Sequence, residues 1–378
     1  MAKAAAFIAL APVMAVPMAL AGLSEWPAPV DWAANTLITV GVYLAGGGPL
    51  PRRTLDGKSG GRGIGVAYST GPARDPRCSI VTQELIMKLG IVGLGRMGAA
   101  MMQRLREQGF DIIGWDHNDA TNKKLAAGGL LIAANARNVA AASEMIISSI
   151  TEDNGVRRIF TGPDGFLAGD VIGKLFVEMS TLQPMTGREL APLVEARGAR
   201  LIEAPVLGTI PAVRSGTLLA MVGGRIEDLD RARPVLEALT RRIVHMGDNG
   251  AGYAMKLAAN LGLGAYIQAV SESLALGVKQ GLTIEQMLEV MQDGPTACGW
   301  LKSKADVLKG GKADITLDIR TLRKDIMSVV ATGALTGVPM PLSSGVLASL
   351  SAAVAYDYGD GDLAELPRFF REKLPQNF

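Results

Sequence analysis

Lys256 and Asn260 stand four residues apart in the segment GAGYAMKLAANLGLG. In an α-helix this spacing places both side chains on one face. The segment is mostly apolar, and burial lowers the pKa of a lysine, so Lys256 could take or give a proton near neutral pH. The pattern indicates a candidate general acid/base. The alternative is an ordinary solvated lysine on a helix surface.

A glycine-rich turn lies further upstream, between an apolar strand pattern and an amphipathic helix pattern. In such a turn the first glycine allows a tight bend, the second lets a pyrophosphate approach the backbone, and the third lets helix and strand pack closely. The helix N-terminus then faces the phosphates. The pattern favours a dinucleotide site, and the alternative is a glycine-rich turn without a ligand. The candidate cofactor residues here are Gly93, Leu94, Gly95, Arg96, Met97 and Gly98.

Asp116 ends the second strand pattern, 18 residues after Gly98. An acidic residue at this place can accept hydrogen bonds from the ribose hydroxyls and repels a 2′-phosphate, so NAD is favoured over NADP. The neighbouring His117 weakens that preference, because a protonated imidazole could meet a phosphate. NADP therefore stays possible, and Asp116 could instead be a turn or helix-capping residue.

The composition excludes several other classes of site. The formal net charge is +2, which gives no electrostatic reason to expect nucleic acid as a partner. The two cysteines, Cys78 and Cys298, are far apart in the chain, and the only histidines are His117 and His245. We therefore expect neither a disulfide framework nor a cysteine or histidine metal site.

From Met87 onward, strand patterns alternate with helical ones, which predicts an α/β fold with a parallel sheet covered by helices. Strands are predicted in KLGIVG, DIIGW, EMIISSI, KLFVEMS, RLIEAPV, TLLAMVGG and RRIVHMG. After Gly250 the patterns are helical: one long helix over 252–280, then helices near 283–292, 297–309, 316–335 and 341–356. We therefore predict a dinucleotide-binding domain over 87–249 and an all-α domain over 250–378.

Residues 1–86 differ in sequence pattern from the rest of the chain. Residues 4–24 resemble a signal peptide, and residues 52–80 show neither helical nor strand periodicity. We expect a disordered or non-native extension, with translation starting at Met87, and a cytoplasmic protein, because NAD is scarce outside the cytoplasm. The alternatives are export or membrane anchoring through residues 4–24, or another functional extension, whereas no membrane contact is expected for 87–378.

The stretch 87–378 resembles the β-hydroxyacid dehydrogenase family, which includes 3-hydroxyisobutyrate dehydrogenase and tartronate semialdehyde reductase. Four blocks match in order: GLGRMG, EAPVLGTIPAVRSGTL, GAGYAMKLAAN and RKDI. The resemblance implies a Rossmann-type domain like that of 6-phosphogluconate dehydrogenase, a long inter-domain helix and an all-α domain that builds a dimer or tetramer. It also implies hydride transfer between NAD(P) and a small, carboxylated β-hydroxy acid or its semialdehyde, without a metal.

The resemblance assigns roles to individual residues. Lys256 would be the acid/base, and Asn260 would orient or polarise the substrate oxygen. Thr181 would sit near the nicotinamide, and Lys324 would close the site from the other domain. His245 is expected to be structural. Two further residues, Ile150 and Thr151, would line the cofactor groove.

The substrate loop departs from the family pattern. The family usually has Ser-Gly-Gly, whereas this chain has Leu207-Gly208-Thr209. Leucine cannot donate a hydrogen bond to a carboxylate, although Thr209 could place a hydroxyl on the same side of an extended segment. Ala259 is a second departure, since the family often has an asparagine there. The identity of the substrate thus stays open.

Two alternative functions remain from the sequence. The first is a cofactor-binding scaffold without catalysis, and the second is an imine reductase on the same fold. Lys256 together with Asn260 counts against the scaffold. Lys256 also counts against an imine reductase, because that group usually lacks the lysine.

Overall fold

A computed structural model of the chain describes residues 87–312 and 314–373. The expected extension over 1–86, the translation start and the signal-like segment lie outside or at the edge of the described residues. The first part of the described chain forms a nine-stranded sheet. Its strands are β1 (Lys88–Val92), β2 (Asp111–Trp115), β3 (Leu131–Ile132), β4 (Met145–Ser148), β5 (Leu175–Glu178), β6 (Arg200–Glu203), β7 (Val206–Leu207), β8 (Leu218–Gly223) and β9 (Thr240–Gly247).

Helices follow most of these strands. They are α1 (Arg96–Glu107), α2 (Asp119–Ala127), α3 (Ala136–Ala142), α4 (Asp153–Thr161), α5 (Pro184–Glu195), α6 (Ile210–Ser215) and α7 (Ile226–Leu239). The helices α3, α4 and α6 were not predicted. They have only six to nine residues, and segments this short show a helical period only weakly.

The strand order is β3-β2-β1-β4-β5-β6-β8-β7, with β9 beside β8. The six strands from β3 to β6 are parallel in the order of a Rossmann fold, which confirms the predicted fold class. One edge of the sheet departs from the parallel arrangement, because β8 runs antiparallel to β6 and β7. The connection over 208–217 is shorter than the roughly dozen residues that a parallel crossover needs.

The sheet is covered on both faces, as its strand sequences require. Side chains alternate between the faces: Ile147 and Val177 join one buried cluster, and their neighbours Ile146 and Phe176 join another. Helices α1 and α7 contribute to the first cluster, and α3, α4 and α5 contribute to the second. The ends of the parallel strands are thus rigidly held, and the loops that follow them share one edge.

The long helix α8 (Ala251–Lys279) leads into the helical part of the chain. Its ends agree with the predicted 252–280 to within one residue. By length and hydropathy alone α8 could cross a membrane, but a core helix of a globular protein passes the same test. It packs against strands β8 and β9, helix α5 and several of the helices that follow it.

No strand occurs after β9 in residues 248–312 and 314–373. The helices there are α9 (Ile284–Asp293), α10 (Gly299–Leu308), α11 (Ile319–Thr336), α12 (Pro341–Ala355) and α13 (Leu366–Glu372). The first four agree with the predicted helices to within three residues at each end, whereas α13 was not predicted. They build two further apolar clusters against α8.

Candidate active site

A cavity of about 370 Å³ lies where the glycine-rich loop, the ends of β4, β5 and β7, and helices α8, α10 and α11 meet. The glycine-rich loop follows β1, and the neighbouring wall of the cavity follows β4. The strand order reverses between these two strands. In open α/β sheets this switch point is where ligands bind. The cavity therefore lies where the fold provides a crevice.

The three glycines of the loop have distinct geometries. Gly93 has φ +89°, and a Cβ there would lie 2.2 Å from the carbonyl oxygen of Ser149. A Cβ on Gly98 would lie 1.8 Å from the carbonyl oxygen of Gly93, so this position requires glycine for packing. A Cβ on Gly95 would meet no atom within 4 Å. The open space at Gly95, beside the N-terminus of α1, fits a pyrophosphate group.

Asp116 lies against this loop. Its carboxylate accepts hydrogen bonds from the Leu94 amide at 2.7 Å and the Asn118 amide at 2.8 Å. The His117 Nδ1 atom lies 3.1 Å from the same carboxylate. Asp116 thus ties the loop in place, while Asn118 caps α2. A carboxylate has about four acceptor positions, so beyond the two amides and His117 it keeps capacity for a ribose hydroxyl.

Lys256 lies on the second turn of α8 and reaches the cavity. Its Nζ donates a hydrogen bond to the Val206 carbonyl at 2.8 Å. Burial lowers the pKa of Lys256 to about 8, the Asp325 carboxylate opposes this change, and the Lys324 ammonium adds to it. The amine can therefore exist in both protonation states near neutral pH, as a general acid/base requires.

Asn260 faces the same cavity and is buried. Its Nδ2 donates to Asp325 Oδ2 at 2.7 Å. The Lys324 Nζ lies 2.6 Å from Asp325 Oδ1 and donates to the Thr181 carbonyl at 2.8 Å. One carboxylate on α11 thus orients the asparagine on α8 and the lysine beside itself, and Lys324 connects α11 to the loop after β5.

Asp325 was not predicted as a site residue, although the matched block RKDI contains it. Its side chain is buried among the residues predicted for catalysis and closure. The one feature of the sequence that could have identified Asp325 is its position next to Lys324. Its pairing with Asn260 across 65 positions of sequence leaves no trace in local spacing.

The substrate loop lies in the cavity wall. Leu207 ends β7, opposite Leu219 of β8, and is partly buried. Gly208 has φ +133°, a conformation that favours glycine. Thr209 precedes α6, and its hydroxyl makes no capping hydrogen bond to that helix. Leu207, Gly208 and Thr209 all line the cavity.

Three apolar residues that were not predicted as site residues complete the wall of the cavity. Leu263 lies on α8 one turn beyond Asn260, Trp300 lies on α10, and Leu317 precedes α11. Each is partly buried, packs against the apolar cluster between α8 and α11, and also lines the cavity. We call Leu207, Leu263, Trp300 and Leu317 the apolar wall.

Most of the predicted cofactor residues come together in the cavity. Those that line it are Gly95, Arg96, Met97, Gly98, Ile150, Thr151, Thr181 and Lys324. Gly93, Leu94 and Asp116 are not part of the lining; they shape the loop from its other side. His245 lies outside the lining too, with its Nε2 2.7 Å from the Gly224 carbonyl, as a structural residue would.

Two family models match consecutive parts of the chain. Residues 88–247 match the NAD-binding domain of 6-phosphogluconate dehydrogenase, and residues 250–370 match the NAD-binding domain of NADP-dependent 3-hydroxyisobutyrate dehydrogenase. A 3-hydroxyisobutyrate dehydrogenase from Pseudomonas aeruginosa is 33% identical over 297 residues, which cover 75% of this chain and 99% of the relative. The chain belongs to the β-hydroxyacid dehydrogenase family. The predicted membership of that family is thereby confirmed.

Other members of the β-hydroxyacid dehydrogenase family show the same extent of similarity. The 2-(hydroxymethyl)glutarate dehydrogenase of Eubacterium barkeri is 30% identical and covers 76% of this chain and 96% of its own length. The solved structure of Mycobacterium tuberculosis 3-hydroxyisobutyrate dehydrogenase with L-serine has a TM-score of 0.69 at 28% identity, and covers 76% of this chain and all of that one. The predictions of an NAD(P) cofactor and of a dehydrogenase are confirmed.

Proposed function

We propose that this β-hydroxyacid dehydrogenase oxidises the hydroxyl-bearing C3 of a β-hydroxy acid, and catalyses the reverse reduction, with Lys256 as general acid/base. The observation that carries the proposal is the Lys256 amine, which lies in the cavity with a pKa of about 8. In oxidation the C3–H and O–H bonds break, and neutral Lys256 takes the hydroxyl proton. The bound nicotinamide supplies the hydride acceptor.

The neighbouring residues hold the reacting groups. Asn260 would polarise the substrate oxygen, with its amide held by Asp325 Oδ2 at 2.7 Å. In reduction the Lys256 ammonium returns the proton to the developing alkoxide. Thr181 and Lys324, joined at 2.8 Å, would enclose the nicotinamide side of the cavity. Enclosure excludes water and strengthens these interactions. The lysine also disfavours the scaffold and imine reductase alternatives.

The charges in the cavity support a substrate with a single carboxylate. Three basic residues line it: Arg96, Lys256 and Lys324. Arg96 pairs with Asp318, and Lys324 pairs with Asp325. Among the described residues of the lining, Lys256 is thus the one basic side chain without an acidic partner in an ion pair, which leaves charge compensation for one carboxylate and not for two. We therefore favour a monocarboxylic β-hydroxy acid.

The apolar wall supports a hydrocarbon substituent on that acid. Leu207, Leu263, Trp300 and Leu317 would bury it, at about 25 cal/mol for each Å² removed from water. The Thr209 hydroxyl would remain as a donor for the carboxylate. An ammonium group at C2 would meet only Asp325, which is already engaged by Asn260 and Lys324.

A substrate screen followed by the absorbance of the reduced cofactor tests the proposal. The acids are 3-hydroxyisobutyrate and 3-hydroxybutyrate against L-serine, glycerate and 2-(hydroxymethyl)glutarate. We expect the highest kcat/KM for the first two, and L207S should shift the preference towards glycerate by restoring a donor. A preference of the unaltered enzyme for the dicarboxylate or for serine would refute the substrate class. No turnover with any acid would favour the scaffold.

Four further proposals concern the cofactor, the domain boundary, the cellular location and the assembly. NAD is preferred over NADP, because the Asp116 carboxylate stands at the ribose end of the loop. The domain boundary lies near residue 249, between β9 and α8. The enzyme is cytoplasmic, where NAD is abundant. It assembles as a homodimer or homotetramer through the helical part, as the family resemblance implies.

A further inference from the structure

A buried carboxyl outside the cavity lining joins the two sides of the cavity. Glu178 is the last residue of β5 and has no exposed surface. It accepts hydrogen bonds from the Tyr253 hydroxyl at 2.6 Å, the Ser180 amide at 3.0 Å and the Ser148 hydroxyl at 3.3 Å. The Ser180 hydroxyl also donates to it. We call these four residues the Glu178 cluster.

On the cofactor side, the Glu178 cluster fixes the loops after β4 and β5. The Ser180 Oγ accepts a hydrogen bond from the Ile150 amide at 2.7 Å. Ile150 and Thr151 follow β4, and Thr181 follows Ser180; all four residues line the cavity. The Glu178 carboxyl therefore holds Ser180 and, through it, the backbone of the neighbouring loop.

On the catalytic side, the Glu178 cluster fixes the first turn of α8. Tyr253 stands three residues before Lys256, and its ring is buried in the core beneath β4 and β5. Glu203, the last residue of β6, accepts the Gly250 amide and, at 3.3 Å, the Tyr253 amide. Glu203 thus binds backbone amides at the start of α8, whereas Glu178 binds the hydroxyl of Tyr253.

We propose that Glu178 is a positioning residue that sets the distance between the Lys256 amine and the nicotinamide side of the cavity. It does so by bonding Tyr253 and Ser180 at once. The inference rests on the proposed role of Lys256. A displacement of about 1 Å between reacting groups can reduce a rate about 10²-fold, so a rigid link between the two sides has a catalytic effect.

Stability alone is a weak reason for such a cluster. Burial raises the pKa of Glu178 to about 7, so the ionised carboxyl is unfavourable in its surroundings. Buried charged groups are often replaceable by apolar ones without loss of stability. A role in linking helix α8 to the cofactor loops explains why a carboxyl stands at this position, whereas a contribution to stability does not.

Y253F tests the catalytic side of the link. The variant keeps the buried ring and removes only the hydroxyl that bonds Glu178. We expect kcat to fall by about tenfold or more, while the dissociation constant for the cofactor changes by less than about twofold. Y266F is the matched control on the same helix: that hydroxyl donates to the Thr296 carbonyl at 2.9 Å, and its loss should leave kcat unchanged.

S180A tests the cofactor side, and it also covers the case that Y253F fails to fold. Removing this hydroxyl frees the Ile150 amide, so the cofactor should bind more weakly. In the double variant Y253F/S180A, the fold-decrease in kcat/KM should be smaller than the product of the two single fold-decreases, because both changes break the same link. An unchanged kcat in Y253F, or losses that multiply, would overturn the inference.

Failure of this inference is distinguishable from failure of the proposed function. If K256A retains turnover, the role of Lys256 is wrong and the inference loses its basis. If K256A is inactive while Y253F and S180A act independently, only the positioning role of Glu178 is wrong.

Discussion

Lys256 combines two features that an acid/base needs: a pKa of about 8 and a place in the cavity. The sequence could predict the residue, because an apolar helix face around a lysine implies burial. It could not predict Asp325, whose carboxylate opposes the fall in the pKa of Lys256. That contact depends on how α11 packs against α8, and local spacing carries no information about it.

D325N should lower the pKa of Lys256 below its present value. The change removes a negative charge that favours the ammonium and leaves the Lys324 ammonium without its partner, and both effects disfavour a charged Lys256. In the oxidation direction, which needs the neutral amine, the pH profile of kcat/KM should rise with an inflection at about pH 8 in the unaltered enzyme. In D325N the inflection should move to lower pH. The control is D306N on an exposed residue of α10, and an upward shift in D325N would contradict the assignment.

Asp116 should determine the cofactor preference. D116A removes the carboxylate that repels a 2′-phosphate, but it also removes the bonds to the Leu94 and Asn118 amides. We therefore expect weaker NAD binding and a smaller ratio of NAD to NADP in kcat/KM. Steady-state kinetics with both cofactors on one substrate measure this ratio. A preference of the unaltered enzyme for NADP, kept in D116A, would show that Asp116 only ties the loop.

At the scale of elements, long segments with strong periodicity were predicted correctly. The ends of α8 and of β1 agree with the sequence patterns to within one residue. The two-residue strand β7 was predicted only as part of one longer strand, RLIEAPV, and the antiparallel direction of β8 was not foreseen. Both follow from how β7 and β8 pair across the short connection over 208–217, and the strand pattern of each segment alone does not predict that pairing. Residues 207–209 lie in this region, so the least predictable part of the sheet shapes one wall of the cavity.

Changing two glycines of the cofactor loop to alanine should affect different properties, stability in one case and cofactor binding in the other. In G98A the new Cβ would meet the Gly93 carbonyl, so we expect the protein without cofactor to lose stability. In G95A the Cβ meets no protein atom and φ is −61°, so stability should be kept while cofactor binding is lost. Thermal unfolding with and without NAD separates these outcomes. Equal destabilisation of the two apo variants would show that the space at Gly95 is not reserved for a phosphate.

At the scale of the whole molecule, two buried carboxyls make stability depend on pH. Burial raises the pKa of Glu178 and of Glu203 from 4.5 to about 7. Below pH 4.5 both are protonated whether the chain is folded or unfolded. Between about pH 4.5 and 7 the unfolded chain releases these protons first, so their contribution to stability falls as the pH rises and levels off above pH 7.

The free energy of unfolding of the unaltered protein should therefore decrease relative to that of E203Q between pH 4.5 and 7. Denaturant titrations at several pH values measure this difference. E237Q, at an exposed position of α7, is the control for the loss of one carboxyl. A difference that grows in the opposite direction would mean that Glu203 is ionised in the folded protein throughout this range.

The site is built from two parts of the chain. The glycine-rich loop belongs to the sheet region, whereas Lys256, Asn260 and Lys324 belong to the helices after it. Removing the acid/base should thus leave the cofactor contacts of the loop intact. This separation distinguishes a catalytic lysine from one that holds the fold together.

K256A, measured for both turnover and cofactor binding, is the most direct test of this mechanism. With a β-hydroxy acid that the unaltered enzyme accepts, we expect turnover to fall about 10²–10⁴-fold, the usual effect of losing a general acid/base. The dissociation constant for the cofactor should change little, and K123A on α2 should match the unaltered enzyme in both measurements. Near-normal turnover in K256A would contradict the assignment of Lys256 as the acid/base.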